Sequence, residues 1–454
     1  MIRVGFIFPS SDYLLDPFRG DPFTHYQILT VLEQHFQNAI EPLLIDLRGI
    51  RKDWAFYHIP ECDIYLHSVY TLDYTEQCSL VKMLREHYPQ AKHIAGGPHA
   101  NIFQLECLKV FDALILGEGE QIIIQAVEDF QQQKLRRIYF QTGPVDINAY
   151  PYWNRKYLPK SATARKHVIT LKNTPGYDQL WGTGVLFSRG CPYHCHFCAI
   201  QHERKNTPGI RFRTPENVKA EIQYLQREYG IQGIALSDEI CFPLNQATAI
   251  RHLEAIGSTG IFWRGQCRVD GITPELAKLA SASGCKALGL GVESVIQQCL
   301  DIINKKTDLC QARETIALLK KNSIEARVYL ILGLPGEPTD IVEQTWKFIE
   351  ETDPDLVHLA LFTVRPGTEV FNNPEKFGII KINTDWDNML HNQGDGSGKR
   401  PKLTFEYAKE TPWGSSIPAE KIIDNYLELH ERLRQHGLRS IDITKQLSQS
   451  LSET

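Results

Sequence analysis

Short apolar runs separated by amphipathic stretches recur along most of the chain, and no other feature restricts its fold as tightly. In residues 1–132 the runs are "RVGFIF", "EPLLIDL", "CDIYLHSV", "AKHIAGGP" and "FDALILGEG", with helical patterns such as "YTEQCSLVKMLREHY" between several of them. Apolar strands that alternate with helices specify a parallel sheet covered on both faces. The chain therefore reads as an α/β protein that begins with a doubly wound domain of five strands. Residues 133–182 break the rhythm: "QTGPVDINAYPYWNRKYLPK" is rich in proline, asparagine and aromatics and reads as a connector. Alternation resumes over 183–367 with "TGVLFSRG", "IQGIALSD", "IFWRGQCRVD", "CKALGLGVES", "IEARVYLILGLPGE" and "PDLVHLALFTVRPG". One intervening helix announces its own start, with Thr214 as N-cap and Pro215 at the first helical position. Six βα units predict a partial (β/α)6 barrel, whose chemistry belongs where strands end and loops begin. The remainder, 368–454, is expected to be a mostly helical extension with a polar loop at 391–401 and an amphipathic helix in "PAEKIIDNYLELHERLRQHG".

Composition narrows the function classes. A chain of 454 residues, 42% hydrophobic and 23% charged, has the balance of a globular protein of two or three domains. A net charge of −5 provides no overall basic field to hold a nucleic-acid backbone. No apolar segment approaches the ~20 residues that span a bilayer. The start, "MIRVGFIFPSSD", lacks the long apolar core of a secretory signal. The expected location is the cytoplasm, with neither membrane nor nucleic acid as partner. There, clustered cysteines mark metal or catalytic sites, whereas single buried ones behave as small hydrophobes.

One stretch clusters them. "LFSRGCPYHCHFCAIQ" puts Cys191, Cys195 and Cys198 at C-x3-C-x2-C spacing, directly after the first barrel strand. A structural zinc site closes its shell with four protein ligands, yet only three cysteines are local. His194 and His196 are interleaved too tightly to aim at the same ion, and no second CxxC pair follows. Three thiolates on a cubane iron–sulfur cluster leave one iron open, which accounts for the missing ligand.

"CPYHCHFC" resembles the signature of the radical S-adenosylmethionine (radical SAM) superfamily. The resemblance implies that Cys191, Cys195 and Cys198 hold a [4Fe–4S] cluster whose open iron chelates S-adenosylmethionine, with Phe197 lining the adenine side. It implies reductive cleavage of that cofactor to a 5′-deoxyadenosyl radical, with the electron drawn from a donor such as flavodoxin or ferredoxin. "LGLGVES" resembles a glycine-rich strand end of the same superfamily. There Gly289 and Gly291 admit close approach of a ligand, and Glu293 accepts hydrogen bonds from ribose hydroxyls or an amino group. Arg268, ending the third barrel strand, is a candidate partner for the methionyl carboxylate, and Arg327 another polar contact. Asp238 and Glu239 end the second strand, either touching cofactor or substrate or capping the next helix.

"IAGGPHA" and "FDALILGEGE" resemble the fourth and fifth strands of the cobalamin-binding domain that precedes many radical SAM proteins. The resemblance implies a cobalamin at the carboxyl edge of the first sheet, against Gly96, Gly97, Gly117, Glu118 and Gly119, with Ser68, Tyr70 and Thr71 bonding its nucleotide tail. The D-x-H-x-x-G motif that supplies a cobalt ligand is absent, since Asp21 and His25 have the wrong spacing. Its commonest chemistry would be methylation of an unactivated carbon of a small molecule or peptide. Alternatives are radical oxidation, cyclisation or rearrangement without methyl transfer, an RNA methylthiotransferase, and a non-catalytic metal-binding protein.

Overall fold

The computed structural model describes residues 1–11, 14, 16–18, 20–149, 152–200, 209–386 and 400–439, arranged in two compact units. The first unit comprises Met1–Lys160 and a later segment that carries Trp386. Its strands are β1 (Ile2–Phe8), β2 (Ile40–Asp46), β3 (Ile64–Ser68), β4 (Lys92–Gly96), β5 (Ala113–Leu116) and β6 (Ile138–Phe140). They lie in the order 2-1-3-4-5-6, every neighbouring pair parallel. The two-residue side-chain period sorts them between two cores. Val4, Phe6, Ile64, Leu66, Ile94, Ala113 and Ile115 pack with the helices Phe23–Phe36 and Gly119–Gln131. Ile7 and Tyr65 turn the other way, onto Leu80 and Leu84 of the helix Tyr74–His87. This is the doubly wound sheet the apolar runs predict, with strand order reversing between β1 and β3.

It has six strands rather than five, and the sixth falls in the stretch read as connector. Only Tyr139 of that edge strand is buried, its hydroxyl donating to Asp129 (3.0 Å). One inward residue among three leaves no periodic trace in the sequence.

The second unit is an open six-stranded barrel: β7 (Gly182–Val185), then β8 (Ser188–Gly190) and β9 (Ile210–Phe212) as a small antiparallel pair, then β10 (Gly233–Leu236), β11 (Phe262–Cys267), β12 (Cys285–Glu293), β13 (Glu325–Leu332) and β14 (Leu356–Leu361). The main sheet runs 7-10-11-12-13-14, all parallel. "TGVLFSRG" is thus two strands, because the chain leaves the barrel after Val185 to enter the β8–β9 pair. Thr214 caps the helix Pro215–Tyr229 as expected, its side chain accepting from Asn217 N (3.3 Å).

The latter part of the expected connector closes the amino end of this barrel. Val168 and Ile169 fill the space beside Gly182 and Gly233, the first residues of β7 and β10. Arg264 Nε donates to Val168 O (2.6 Å), Arg327 reaches Thr170 O, and Lys172 N donates to Glu325 (2.6 Å). Arg327 is therefore held in this plug, bonded also to Glu325 (2.9 Å), and is not a cofactor contact.

Beyond β14 the chain forms β15 (Ile379–Ile382) with β16 (Phe405–Tyr407), the two-residue pair β17 (Glu410–Thr411) with β18 (Gly414–Ser415), and the helix Ala419–Gln435. That helix places Ile422, Tyr426, Leu429 and Leu433 in the barrel core. Most of the loop read at 391–401, and the serine-rich tail from 440, lie outside the described residues. Among the described residues no helix is long and apolar enough to cross a membrane.

Candidate functional site

The cysteine loop begins with a turn that only glycine makes easily. Gly190 has φ +83°, and a Cβ there would run into the Gly209 carbonyl oxygen. The loop is then gripped by residues 302–306. His196 N donates to Ile303 O (2.8 Å), His196 Nδ1 bonds Ile302 O (3.0 Å), and Asn304 Nδ2 donates to His194 O (2.8 Å). The imidazole of His196 is thereby committed to backbone. Phe197, half-buried, packs on an apolar cluster that includes Ile303 and Leu334, the latter from the glycine–proline turn after β13.

Burial pushes the Cys198 thiol up to about 11. Burial also raises Cys195, opposed by the positive charges of Lys305 and Arg268. Loading a metal here must displace those protons.

Lys305 was not singled out by the sequence reading. Its ammonium is buried and donates to Glu293 Oε1 at 2.7 Å. Glu293 itself is left-handed (φ +70°), and left-handed Asn304 (φ +52°) and Lys306 (φ +55°) flank Lys305. Such conformations cost on the order of 1–3 kcal/mol each and persist where surrounding contacts over-determine them. No motif in "IINKKT" marks the lysine; a basic residue twelve positions after Glu293 was the only trace.

The other candidates are redistributed by the geometry. Arg268, expected at a carboxylate ligand, is consumed internally. Its Nε and Nη2 each donate to Asp270 at 2.9 Å, Nη1 to Lys305 O (2.9 Å) and Nη2 to Lys306 O (3.2 Å). Asp238 does not cap the next helix, whose N-cap is Asn245. It is buried, accepting from Phe187 N (3.0 Å) and Ser188 Oγ (2.5 Å) at the base of the cysteine loop, while Oδ2 has no partner. Burial raises its carboxyl to about 7. Gly289 makes room for the Tyr329 phenol and Gly291 for the Glu293–Lys305 pair, so protein side chains already occupy the space beside both glycines.

In the first unit most polar candidates bond within the protein, whereas Tyr70 is exposed. Thr71 Oγ1 pairs with His99 Nδ1 (3.1 Å), Ser68 O accepts from Gln77 (3.0 Å), and Glu118 accepts from Val145 N (2.7 Å). Gly117 N donates to Asn101 (3.0 Å). Gly97, at φ +93°, lies against the Val69 backbone, and Gly96 lies against Ile115. His25 is turned onto Ile7 O (3.1 Å) between the Phe6 and Phe8 rings, and burial lowers it to about 4. The carboxyl edge exposes several large hydrophobic side chains, Leu14, Phe18, Tyr70, Leu105 and Phe140, in or next to the loops after β1, β3, β4 and β6, beside exposed polar residues such as Asp16, Gln104 and Thr142.

These residues fit the groups the motifs imply. Among the described residues no three His, Cys, Asp or Glu side chains gather around a single ion. A cubane does not need them to, since each thiolate binds a separate iron. The large hydrophobic side chains exposed at that edge could pack on a broad ring system, and His25 is turned into the fold onto Ile7 O.

Residues 185–349 match the Radical SAM superfamily. That match takes in the cysteine loop and the strands β8 to β13. Over 400 residues it is 25% identical to the anaerobic magnesium-protoporphyrin IX monomethyl ester cyclase of Cereibacter sphaeroides, covering 82% of this chain and 61% of the cyclase. An uncharacterized methyltransferase of Pyrococcus horikoshii is 30% identical over 301 residues, 61% of this chain and 62% of its own length. The chain therefore spans about three fifths of the length of these curated relatives. The radical SAM methyltransferase TsrM of Kitasatospora setae, solved with cobalamin and a [4Fe–4S] cluster, superposes with a TM-score of 0.68 at 15% identity, covering 94% of this chain and 88% of that one. At that identity the likeness is one of fold.

Proposed function

We propose that the protein is a radical SAM enzyme, most simply a cobalamin-dependent methyltransferase acting on an unactivated carbon of a small molecule or peptide. Cys191, Cys195 and Cys198 would hold a [4Fe–4S] cluster, S-adenosylmethionine would lie beside it, and cobalamin at the carboxyl edge of the first sheet. When bound, the cluster supplies the electron that cleaves S-adenosylmethionine, and cobalamin carries the methyl group. The observation that carries the reading is a three-thiol loop with no fourth metal-ligating side chain gathered at it among the described residues, anchored against a segment that presents a buried ammonium. Lys305 would offer a cation to a methionyl carboxylate, since the Arg268 fork is already occupied. Glu293 holds that ammonium in place (2.7 Å) until a ligand carboxylate competes for it. A flavodoxin- or ferredoxin-type protein would deliver the electron.

The likeness to the Cereibacter cyclase favours a second reading, ring formation without methyl transfer. Anaerobic reconstitution followed by assay of 5′-deoxyadenosine tests the enzyme class, and Cys191→Ala must abolish that product. If it does not, the assignment of the loop is wrong. A substrate product heavier by one methylene supports methylation, and a product of unchanged carbon count supports the cyclase-like alternative.

A further inference from the structure

We propose that Arg268, together with Asp270, positions the Lys305 ammonium for a carboxylate-bearing ligand at the cysteine loop and makes no ligand contact of its own. This rests on the reading of Lys305 given above. Four of the five guanidinium N–H groups are used: two hold Asp270 in a fork, and two hold the carbonyls of Lys305 and Lys306. The face of the same guanidinium lies 3.7 Å over the Tyr193 ring, inside the cysteine loop. One side chain therefore joins the loop that carries the thiols to the backbone that carries the lysine.

The backbone there needs such a tie. Lys305 is flanked by the left-handed residues Asn304 and Lys306, so its direction depends on how this backbone is fixed, and Arg268 holds the carbonyls of Lys305 and Lys306. Asp270 fixes the orientation of the fork while Arg268 reaches across. A lysine at position 268 keeps the charge, but its ammonium cannot present a planar fork to Asp270 and both carbonyls while also stacking on Tyr193. The two cations thus divide the work: Arg268 faces protein, and Lys305 faces the ligand.

The experiment uses the full chain, anaerobically reconstituted, as Arg268→Lys, Asp270→Asn, Lys305→Met and the Arg268→Lys/Lys305→Met double variant. Iron and sulfide content, S-adenosylmethionine affinity, and the electron paramagnetic resonance spectrum of the reduced cluster with and without S-adenosylmethionine are read for each. The expected result is unchanged iron and sulfide in all four. Arg268→Lys and Lys305→Met each bind S-adenosylmethionine roughly tenfold or more weakly, the scale on which supporting residues act, with a diminished spectral response to it. Asp270→Asn moves the same way by a smaller factor, and it decides the matter if Arg268→Lys does not fold. The double variant is no weaker than Lys305→Met alone. Multiplying losses, or loss of the cluster in Arg268→Lys only, overturn the proposal. Normal binding by Arg268→Lys and Asp270→Asn with weak binding by Lys305→Met defeats this inference alone. Normal binding by Lys305→Met defeats the reading of the site beneath it.

Discussion

Replacing Asp238 by asparagine removes a carboxyl that burial holds protonated up to near-neutral pH. The side chain is 1% exposed, its Oδ2 lacks a partner, and its pKa is raised from 3.8 to about 7. Between those two values the folded chain keeps a proton that the unfolded chain releases. The contribution to stability is therefore full below the unfolded pKa and is lost as pH rises through the folded one. Integrating that difference from pH 5 to pH 8 gives a loss of roughly 2.5 kcal/mol from this residue. Asparagine retains an acceptor for Phe187 N and Ser188 Oγ and does not titrate. Thermal unfolding of the wild type and Asp238→Asn at the two pH values, without metal, isolates the effect, because Asp73 and Glu337, also raised by burial, are common to both chains. At about 2 °C per kcal/mol for a unit of this size, the variant should gain about 5 °C on the wild type between pH 5 and pH 8. A gap that does not change with pH, or that moves in the wild type's favour, refutes the reasoning.

Gly190→Ala should abolish iron incorporation while leaving the far-ultraviolet circular dichroism intact, since the new methyl meets the Gly209 carbonyl at φ +83°; iron analysis after reconstitution checks it. Trp386 packs on Phe103 (5.0 Å between centroids) and edge-on to His99 (5.7 Å), and donates to Glu106 (3.4 Å). Trp386→Ala should therefore destabilise the first unit by about 3 kcal/mol, read by urea denaturation. Arg213→Met strands the carboxylate of Glu221, whose side chain is 1% exposed, and should cost about 3–5 kcal/mol in the barrel unit, with the Arg213→Met/Glu221→Leu pair recovering part of it.

Apolar periodicity and one cysteine spacing determined much of this protein from the sequence alone. A buried parallel strand is read from its own residues, because both faces must be apolar wherever the strand sits. That is why β1 to β5 and the six barrel strands were legible. The cysteine loop was legible because its three cysteines are close in the chain. The tertiary structure decided what depends on partners far apart in sequence. It turned residues 168–172 from connector into barrel plug through Arg264 and Arg327, and it gave β6 a neighbour. It also engaged Arg268 with Asp270 and two carbonyls while setting Lys305 beside Glu293, an arrangement that nothing in the sequence announces. The glycines of β12 mislead for the same reason: the sequence shows that space is left, and only the fold shows that Tyr329 and Lys305 fill it.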